Sequence, residues 1–330
     1  MPRPSIELGG GAPLLDIASY GRRGPADRVH LTQAEIQLLS RTVRRTPEVM
    51  VKVLTQGGRD LNAVGRQLRY LSRRGELEIE TDGGERLSGE GVEQKLLEDW
   101  DLDLDEVRQS KELRPCPRNL RPKLVHKVVL SMPAGTPPDR LLSGAQAFAR
   151  ETFGAKHRYA MVLHTDEPHP HVHMVVKAVS EDGVRLNIRK ATLREWRREF
   201  ARHLRAQGIS ANATDKAVRG ARRADLSDGM YRVMQRDASR RIREQIGSRG
   251  MERKTDSEAS SRKALLQTRA QVERGWLAAA EILDRQGQRD LAWQVRRFAD
   301  SLPPVRTDQQ RLIQTLRSRG REPPQRELTR

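Results

Sequence analysis

A shortage of cysteine and of aromatic residues is the first feature of this chain of 330 residues. Its single cysteine, Cys116, stands between two prolines, which excludes a disulfide framework and a thiolate zinc site within one chain. Four residues each of Trp, Tyr and Phe are too few for a broad platform on which bases could stack. No apolar stretch reaches the roughly 20 residues of a membrane span, and no secretory signal pattern is found. The sequence therefore predicts a cytoplasmic protein with no membrane span.

Positive charge is what the chain has in excess. It holds 62 Lys and Arg residues against 44 Asp and Glu, a formal net charge of +18, and nucleic acid is the simplest partner for that balance. Arg185–Arg223 alone has 12 basic and 3 acidic residues. Residues 76–107 show the opposite balance, with 13 acidic and 2 basic residues, which indicates a solvated insertion of helix and loop rather than a site.

The apolar spacing predicts an α+β fold class, with antiparallel strands covered by helices and then a small helical module. Val49–Leu54 and Leu124–Met132 have strand composition, and apolar residues recur at helical spacing over 60–73. Further elements are predicted as helices over 138–153 and 193–207, a short strand over 184–188, and two C-terminal helices joined at Gly287. The predicted divisions are a flexible extension (1–45, with a short helical pattern near 31–39), the main domain (46–225), the helical module (226–304) and a basic disordered tail (305–330).

Four of the eight histidines lie within Leu163–Lys177. The period of two in a strand places His171 and His173 on one face, and the residues before them, with two prolines and an aspartate, have the composition of a turn. Tyr159–His164 then forms the opposing strand of a hairpin and returns His164 beside that face. Three convergent imidazoles, with an acidic residue two positions after the first, predict a metal site.

An ordinary role for these histidines is the alternative to a metal site. Single histidines in strands are usually surface or core residues, and a histidine-rich tract can bind metal incidentally. Val172 and Met174–Val176 are strand formers, which indicates an ordered, half-buried segment rather than a low-complexity tract. We therefore favour the metal site. His169 falls in the turn at an odd offset and is left out of the predicted ligands.

A cation held by histidines in a basic protein suggests chemistry at a phosphate. The attacking group is then either metal-bound water, as in a hydrolytic nuclease, or a side chain, as in a transesterase. Tyr70 is the candidate side chain, because nearby arginines would hold a phosphate backbone and favour its phenolate. On composition alone, an aromatic residue on the packing edge of a helix is an equal alternative. The candidate DNA contacts are Arg66, Arg69, Arg73, Arg74 and His126.

Three segments in a fixed order carry a family resemblance. They are Gln67–Leu77 around the tyrosine, His126–Thr136 with a strand and a turn, and His164–His173 with the pattern His-x-Asp…His-x-His. Together they resemble the conjugative relaxases of the mobilisation family, which includes the T-DNA border nickase of plant-tumour plasmids. Gly208-Ile209 and Ala213-Thr214 through Arg219-Gly220 are also similar, so that the resemblance spans about residues 49–223.

The resemblance implies a role for each matched residue. Tyr70 would be the nucleophile, and Asp166 would orient a histidine or assist proton removal from the tyrosine. His164, His171 and His173 would hold a divalent metal. Imidazole ligands by themselves favour Zn, Ni or Mn, whereas the usual activators in the family are Mg and Mn, which we adopt as the expected cofactors.

The resemblance also implies a fold and an activity. The fold is that of the His-hydrophobe-His endonucleases, an antiparallel sheet with the metal hairpin central and helices flanking it. The activity is a site- and strand-specific DNA relaxase that nicks single-stranded DNA at a transfer origin, forms a 5′-phosphotyrosyl adduct and can religate. The implied setting is conjugative transfer of a plasmid or integrative element, with an accessory DNA-binding protein and a type IV secretion coupling protein as partners. The protein would enter the recipient cell with the DNA.

Two other functions stay open from the sequence. A rolling-circle replication initiator shares the histidine hairpin and the tyrosine chemistry, but in most such proteins the tyrosine follows the histidines, whereas Tyr70 precedes them. A non-catalytic DNA-binding accessory protein could use the histidines for structural zinc, but it would not need Tyr70 in its motif. For the helical module and tail, partner contact, a secretion signal and a solvated basic tail are all open.

Overall fold

The computed structural model describes residues 30–54, 58–112, 121–154, 156–220 and 251–305. The chain divides into two compact units. We call residues 45–213 the sheet unit, and residues 1–44 together with 214–330 the helical unit. Outside the described residues lie Cys116, Tyr20, Tyr231 and the predicted tail after residue 305.

Eight helices and six strands occur within the described residues. The helices are α1 (Gln33–Val43), α2 (Leu61–Leu71), α3 (Val92–Asp99), α4 (Leu102–Glu112), α5 (Pro138–Thr152), α6 (Lys190–Ala206), α7 (Met251–Arg285) and α8 (Arg289–Asp300). The strands are β1 (Met50–Leu54), β2 (Ile79–Thr81), β3 (Arg86–Leu87), β4 (Val125–Ser131), β5 (Tyr159–His164) and β6 (His171–Lys177). No described helix combines the length and apolar composition needed to cross a membrane.

The sheet unit is built on one six-stranded antiparallel sheet with the strand order β1-β4-β6-β5-β2-β3. The β5–β6 hairpin occupies its middle, and its register pairs Tyr159 with Val176 and His164 with His171. β4 runs antiparallel to β6 on the other side, so that Val129 lies opposite His173. The predicted α+β class, with its central antiparallel sheet and C-terminal helical module, is confirmed.

Each face of the sheet buries a different core, because side chains alternate along the strands. One face, with Met174 and Val176 of β6, packs against α5 and α6 through large aromatic side chains: Phe148, Phe153, Trp196 and Phe200. The other face, with Val162 of β5 and Val175 of β6, packs against apolar residues of α2 and α3: Val64, Leu68, Leu71, Val92 and Leu96. The three histidines belong to this second face.

Helix α2 begins and ends with local signals that fix its length. The Asp60 side chain caps its N-terminus by accepting a hydrogen bond from the Ala63 backbone N–H at 2.9 Å. After the helix, Arg73, Arg74 and Gly75 all adopt the left-handed conformation, with φ of 53°, 62° and 92°. Glycine is required at position 75, since a Cβ there would lie 2.1 Å from the carbonyl oxygen of Gly89, which follows β3. The chain therefore reverses immediately after α2.

The helical unit contains the predicted C-terminal pair of helices. α7 and α8 are joined at Gly287, whose φ is 78°. They share a core in which the ring centroids of Trp276 and Phe298 lie 4.9 Å apart. Leu39 of α1 is buried in the same core. The N-terminal extension predicted over 1–45 therefore includes a packed helix, which a capping box at Thr32 begins.

Two short strands also differ from the prediction. The strand predicted over 184–188 does not form, because Arg185 makes only an isolated bridge to Val179. β3, which was not predicted, pairs two residues with β2 inside the acidic insertion. The strands that bear the histidines are unaffected by either difference.

Candidate active site

Three histidine side chains converge on the face of the sheet that α2 covers. His164 ends β5, and His171 and His173 lie in the first half of β6. Their ring centroids are 4.8 Å to 5.3 Å apart. Each ring offers one nitrogen such that all three nitrogens lie within 4.8 Å of one another. This spacing suits three ligands of a single cation.

Backbone carbonyls hold two of these rings through their other nitrogen. His164 Nε2 donates to the Leu71 carbonyl oxygen at 2.8 Å, and His171 Nδ1 donates to the His169 carbonyl oxygen at 3.0 Å. A carbonyl oxygen only accepts, so these nitrogens carry the protons. The lone pairs of His164 Nδ1 and His171 Nε2 are then available, as in metal sites whose histidines are oriented by such hydrogen bonds.

Burial favours the neutral form of two of the three imidazoles, those of His164 and His173. Burial lowers the pKa of His173 to about 4, and the neighbouring His164 and His171 contribute in the same direction. Burial also lowers the pKa of His164, whose side chain is only 3% exposed. A neutral imidazole is the form that binds a metal ion.

Residues before and after Tyr70 connect the C-terminal end of α2 to the sheet through hydrogen bonds and an ion pair. Before it, Gln67 accepts a hydrogen bond from Lys127 of β4. Immediately after it, the Leu71 carbonyl accepts from His164. Two residues further, Arg73 forms an ion pair with Asp166, in the turn between β5 and β6. These contacts bring the tyrosine helix to the histidine cluster.

Tyr70 itself is 63% exposed, unlike the apolar residues of α2 that face the sheet. Its ring lies beside the Arg73 guanidinium, whose central carbon is 5.8 Å from the ring centroid. The observed exposure leaves the phenol accessible to a ligand.

Asp166 lies close to the histidines but does not hydrogen-bond to them. Its Oδ1 is 4.0 Å from His164 Nδ1, while Oδ2 pairs with Arg73. At this distance the carboxylate acts on His164 through its charge and raises the pKa of that imidazole, against the larger lowering effect of burial. The residue predicted to orient a histidine or accept a proton is therefore present at the cluster.

The four arginines predicted around Tyr70 have different surroundings. Arg66 and Arg74 are exposed. Arg69 donates from Nε to Glu93 of α3 at 2.6 Å, although its side chain remains 63% exposed. Arg73 is engaged with Asp166. Arg66 and Arg74 are therefore exposed and take part in neither the Arg69–Glu93 nor the Arg73–Asp166 ion pair.

His126 is the predicted DNA contact that the structure does not bring to the cluster. It lies on β4 three positions before Val129, the residue opposite His173. An odd offset along a strand places the two side chains on opposite faces. Burial, followed by the charges of Lys123 and Arg185, lowers the pKa of His126 to about 4.

A groove extends from the histidines toward β1 at the edge of the sheet. It has a volume of about 520 Å³, and its lining includes His171, His173, Met50 and Lys52. Met50 is 48% exposed. These β1 residues were not predicted from the sequence. Side chains alternate between the two faces of a strand, so the pairing of β1 with β4 and of β4 with β6 would have placed them on the same face as the histidines. Glu48, Leu54, Val129, Ser131, Met132, Pro133, Glu167 and His169 complete the lining.

A second group of possible ligands lies on the other side of the sheet unit, between α5 and α6. Ligand atoms of Glu151, Glu199 and His203 lie within 4.8 Å of one another. Arg202 pairs with both carboxylates, at 2.6 Å to Glu151 and 2.7 Å to Glu199. Because Arg202 pairs with both acids and His203 Nε2 lies 3.1 Å from Glu151, the group forms a surface ion-pair network.

The chain is similar in sequence to a known protein family. Residues 70–209 match the family described as relaxase, MobA/VirD2-like, nuclease domain. The resemblance to relaxases is confirmed. The matched segment is shorter than the predicted span of 49–223, but it includes Tyr70, Asp166 and the three histidines.

Individual relatives show the same likeness to relaxase-type nucleases. The T-DNA border endonuclease VirD2 of Agrobacterium fabrum is 26% identical over 210 residues, which cover 59% of this chain and 46% of that protein. The VirD2 protein of Rhizobium radiobacter is 25% identical over 210 residues, which cover 59% and 48%. The chain spans about half the length of these relatives. A structure described as the molecular basis of vancomycin resistance transfer in Staphylococcus aureus matches 52% of this chain at 12% identity, with a TM-score of 0.33.

Proposed function

We propose that this protein is a site- and strand-specific DNA relaxase that nicks single-stranded DNA at a transfer origin and can rejoin it. The observation that carries the proposal is the contact between the Leu71 carbonyl and His164, which joins the helix end bearing an exposed Tyr70 to a cluster of three histidines. The similarity to T-DNA border endonucleases supports DNA as the substrate.

His164, His171 and His173 would hold a divalent cation. Burial lowers the pKa of His164 and of His173, and backbone carbonyls orient His164 and His171, which suits this role. Nitrogen ligands suit Mn better than Mg, so Mn is the preferred choice of the two expected cofactors. When bound, the cation supplies positive charge against an oxygen of the scissile phosphate.

Tyr70 is the proposed nucleophile. Its phenolic oxygen forms a bond to the phosphorus atom, and the bond from phosphorus to the 3′ oxygen of the preceding nucleotide breaks. The phenol proton is lost, and the leaving oxygen takes up a proton to become a free 3′-OH. Asp166 is proposed to orient His164 or to accept the phenol proton. One phosphodiester replaces another, so the same site can reverse the step without an energy source.

The exposed arginines supply the proposed contacts to the DNA backbone. Arg66 and Arg74 flank Tyr70 along the chain and are open to solvent, where a guanidinium can pair with a phosphate. The proposed setting is conjugative transfer, with an accessory DNA-binding protein and a type IV secretion coupling protein as partners. Nicking in the cytoplasm and passage with the DNA into a recipient belong to the same proposal.

A covalent adduct tests the nucleophile. A labelled oligonucleotide from a candidate transfer origin, incubated with the protein and Mn, should give a complex that survives denaturing electrophoresis. Tyr70→Phe should abolish this complex and leave oligonucleotide affinity unchanged, because only an exposed hydroxyl is lost.

The matched control is Tyr159→Phe, which removes the hydroxyl of a buried tyrosine that faces the opposite core. This variant should still form the adduct. An adduct recovered from Tyr70→Phe, or nicking by wild-type protein with no covalent intermediate, would contradict the proposal.

A further inference from the structure

Arg73 is distinguished from the other arginines near Tyr70 by making two contacts within the site. Its guanidinium pairs with Asp166, which belongs to the β5–β6 turn. The same group lies 5.8 Å from the centroid of the Tyr70 ring. It therefore stands between the proposed nucleophile and the turn that connects the histidine strands.

The backbone at Arg73 is held in a conformation that arginine seldom adopts. Its φ is 53°, in the left-handed region that costs about 1–2 kcal/mol for a residue with a Cβ. Local hydrogen bonds maintain the turn, since Arg74 N–H donates to the Arg69 carbonyl at 2.8 Å and Gly75 N–H donates to Ser72 Oγ at 3.1 Å. Such strain persists where the surrounding structure fixes it, and it is common at functional sites.

We propose that Arg73 is a positioning residue, which holds the Tyr70 ring in place relative to the histidine cluster through its ion pair with Asp166. This inference rests on the proposed function of Tyr70. It assigns to Arg73 a role different from the DNA backbone contacts of Arg66 and Arg74, because its guanidinium is already paired.

Exposure is the reason that Tyr70 needs such a contact. A ring that is 63% exposed has little packing to select one rotamer among those that its backbone allows. A reacting group that is held in the attacking geometry gains rate, and a displacement of about 1 Å can cost roughly 100-fold. The ion pair itself is solvent-exposed, with 38% and 53% of the two side chains accessible, so its removal leaves the fold intact.

The test separates the rate of adduct formation from DNA affinity. We expect Arg73→Gln to slow single-turnover adduct formation by about 10-fold to 100-fold at saturating oligonucleotide, with oligonucleotide affinity unchanged. Arg73→Lys should recover part of the rate, because it keeps the charge but loses the planar fork. In an Asp166→Asn background, Arg73→Gln should have no additional effect.

Two comparison variants give the contrast. Arg74→Gln should weaken oligonucleotide affinity, which Arg73→Gln leaves unchanged. Arg86→Gln removes an exposed ion pair with Glu78 in the acidic insertion and should change neither quantity. Equal losses of affinity and rate in Arg73→Gln, or additive effects of the Arg73 and Asp166 substitutions, would overturn the proposal.

The NMR signal of the Tyr70 ring reports the position of the ring independently of adduct formation. With ¹³C-labelled tyrosine, the ring signal that disappears in Tyr70→Phe belongs to Tyr70. Arg73→Gln and Asp166→Asn should both shift that signal, and Arg86→Gln should not. A signal unmoved by Arg73→Gln would refute the positioning role, whether or not the wild-type protein forms an adduct. A shifted signal without any wild-type adduct would instead refute the proposed function alone.

Discussion

Metal binding by the three histidines should stabilise the folded protein, and His171→Ala should abolish that effect. The native state presents three imidazole nitrogens within 4.8 Å of one another, whereas the unfolded chain does not hold them together. A ligand that binds only the native state, at about 100 times its dissociation constant, adds about 2.7 kcal/mol to the free energy of unfolding. For a unit the length of Arg45–Ala213, each kcal/mol corresponds to roughly 2–4 °C, so the melting temperature should rise by roughly 5–10 °C.

The assay is thermal unfolding of the full chain at neutral pH, with excess Mn and with a chelator. His171→Ala should melt at the same temperature in both conditions, whatever its stability relative to wild type. The matched control is His203→Gln, which alters the second histidine-containing cluster and should keep the full metal-dependent shift. A shift that persists in His171→Ala, or that disappears in His203→Gln, would refute the assignment of the cation site.

Three further predictions concern stability. Folding lowers the pKa of His126 from 6.5 to about 4, so the stability that its neutral form contributes is present above pH 6.5 and is lost as the pH falls toward 4. With allowance for partial solvent exposure, the free energy of unfolding should fall by about 1–2 kcal/mol over this range. Urea unfolding of His126→Gln should lack this pH-dependent loss. Gly75→Ala should cost about 2 kcal/mol or more, because its Cβ would meet the Gly89 carbonyl oxygen; a smaller loss in denaturant unfolding would contradict the conformation of this turn. Arg74→Gly should raise the free energy of unfolding by about 0.5–1 kcal/mol, because glycine adopts the left-handed backbone conformation without the strain that arginine has there. Fluorescence anisotropy should show that the same variant binds an oligonucleotide more weakly.

The histidine hairpin was predictable because its signals are local. Tyr159–His164 was predicted as a strand, and the structure has a strand with those bounds. Alternation along β6 placed His171 and His173 together, and a turn with two prolines returned His164 beside them. These deductions need only strand periodicity and turn chemistry over about twenty residues of chain, for which sequence patterns are informative.

Contacts between distant parts of the chain could not be predicted in the same way. His164 and Leu71 are separated by 93 positions, as are Arg73 and Asp166. No periodicity links such pairs, because their proximity depends on how α2 packs across the sheet. The same limit explains why Arg73 was grouped with the other arginines and why His126, in a recognisable motif, was assigned to DNA although it lies on the opposite face.

At the N-terminal helix, a capping signal was present in the sequence, but the composition of the preceding residues was given more weight. Glycine, proline and arginine before residue 30 suggested an extension without structure. Thr32 and Glu35 nevertheless form a capping box, and the apolar residues after it pack into a core with α7 and α8. Local capping chemistry predicts where a helix starts, but it does not show which distant helices the apolar stripe will contact.

The sheet order has a consequence for the proposed cycle of nicking and rejoining. The histidines stand on the two middle strands, and each of these strands is hydrogen-bonded to a neighbouring strand on either side, so a shift of their backbone would have to break hydrogen bonds of the sheet. Tyr70 stands instead at the last turn of a helix, followed by a reversal of three left-handed residues. In the proposed cycle of nicking and rejoining, an adjustment that admits a second DNA end would therefore come more easily from the end of this helix than from the strands that carry the histidines.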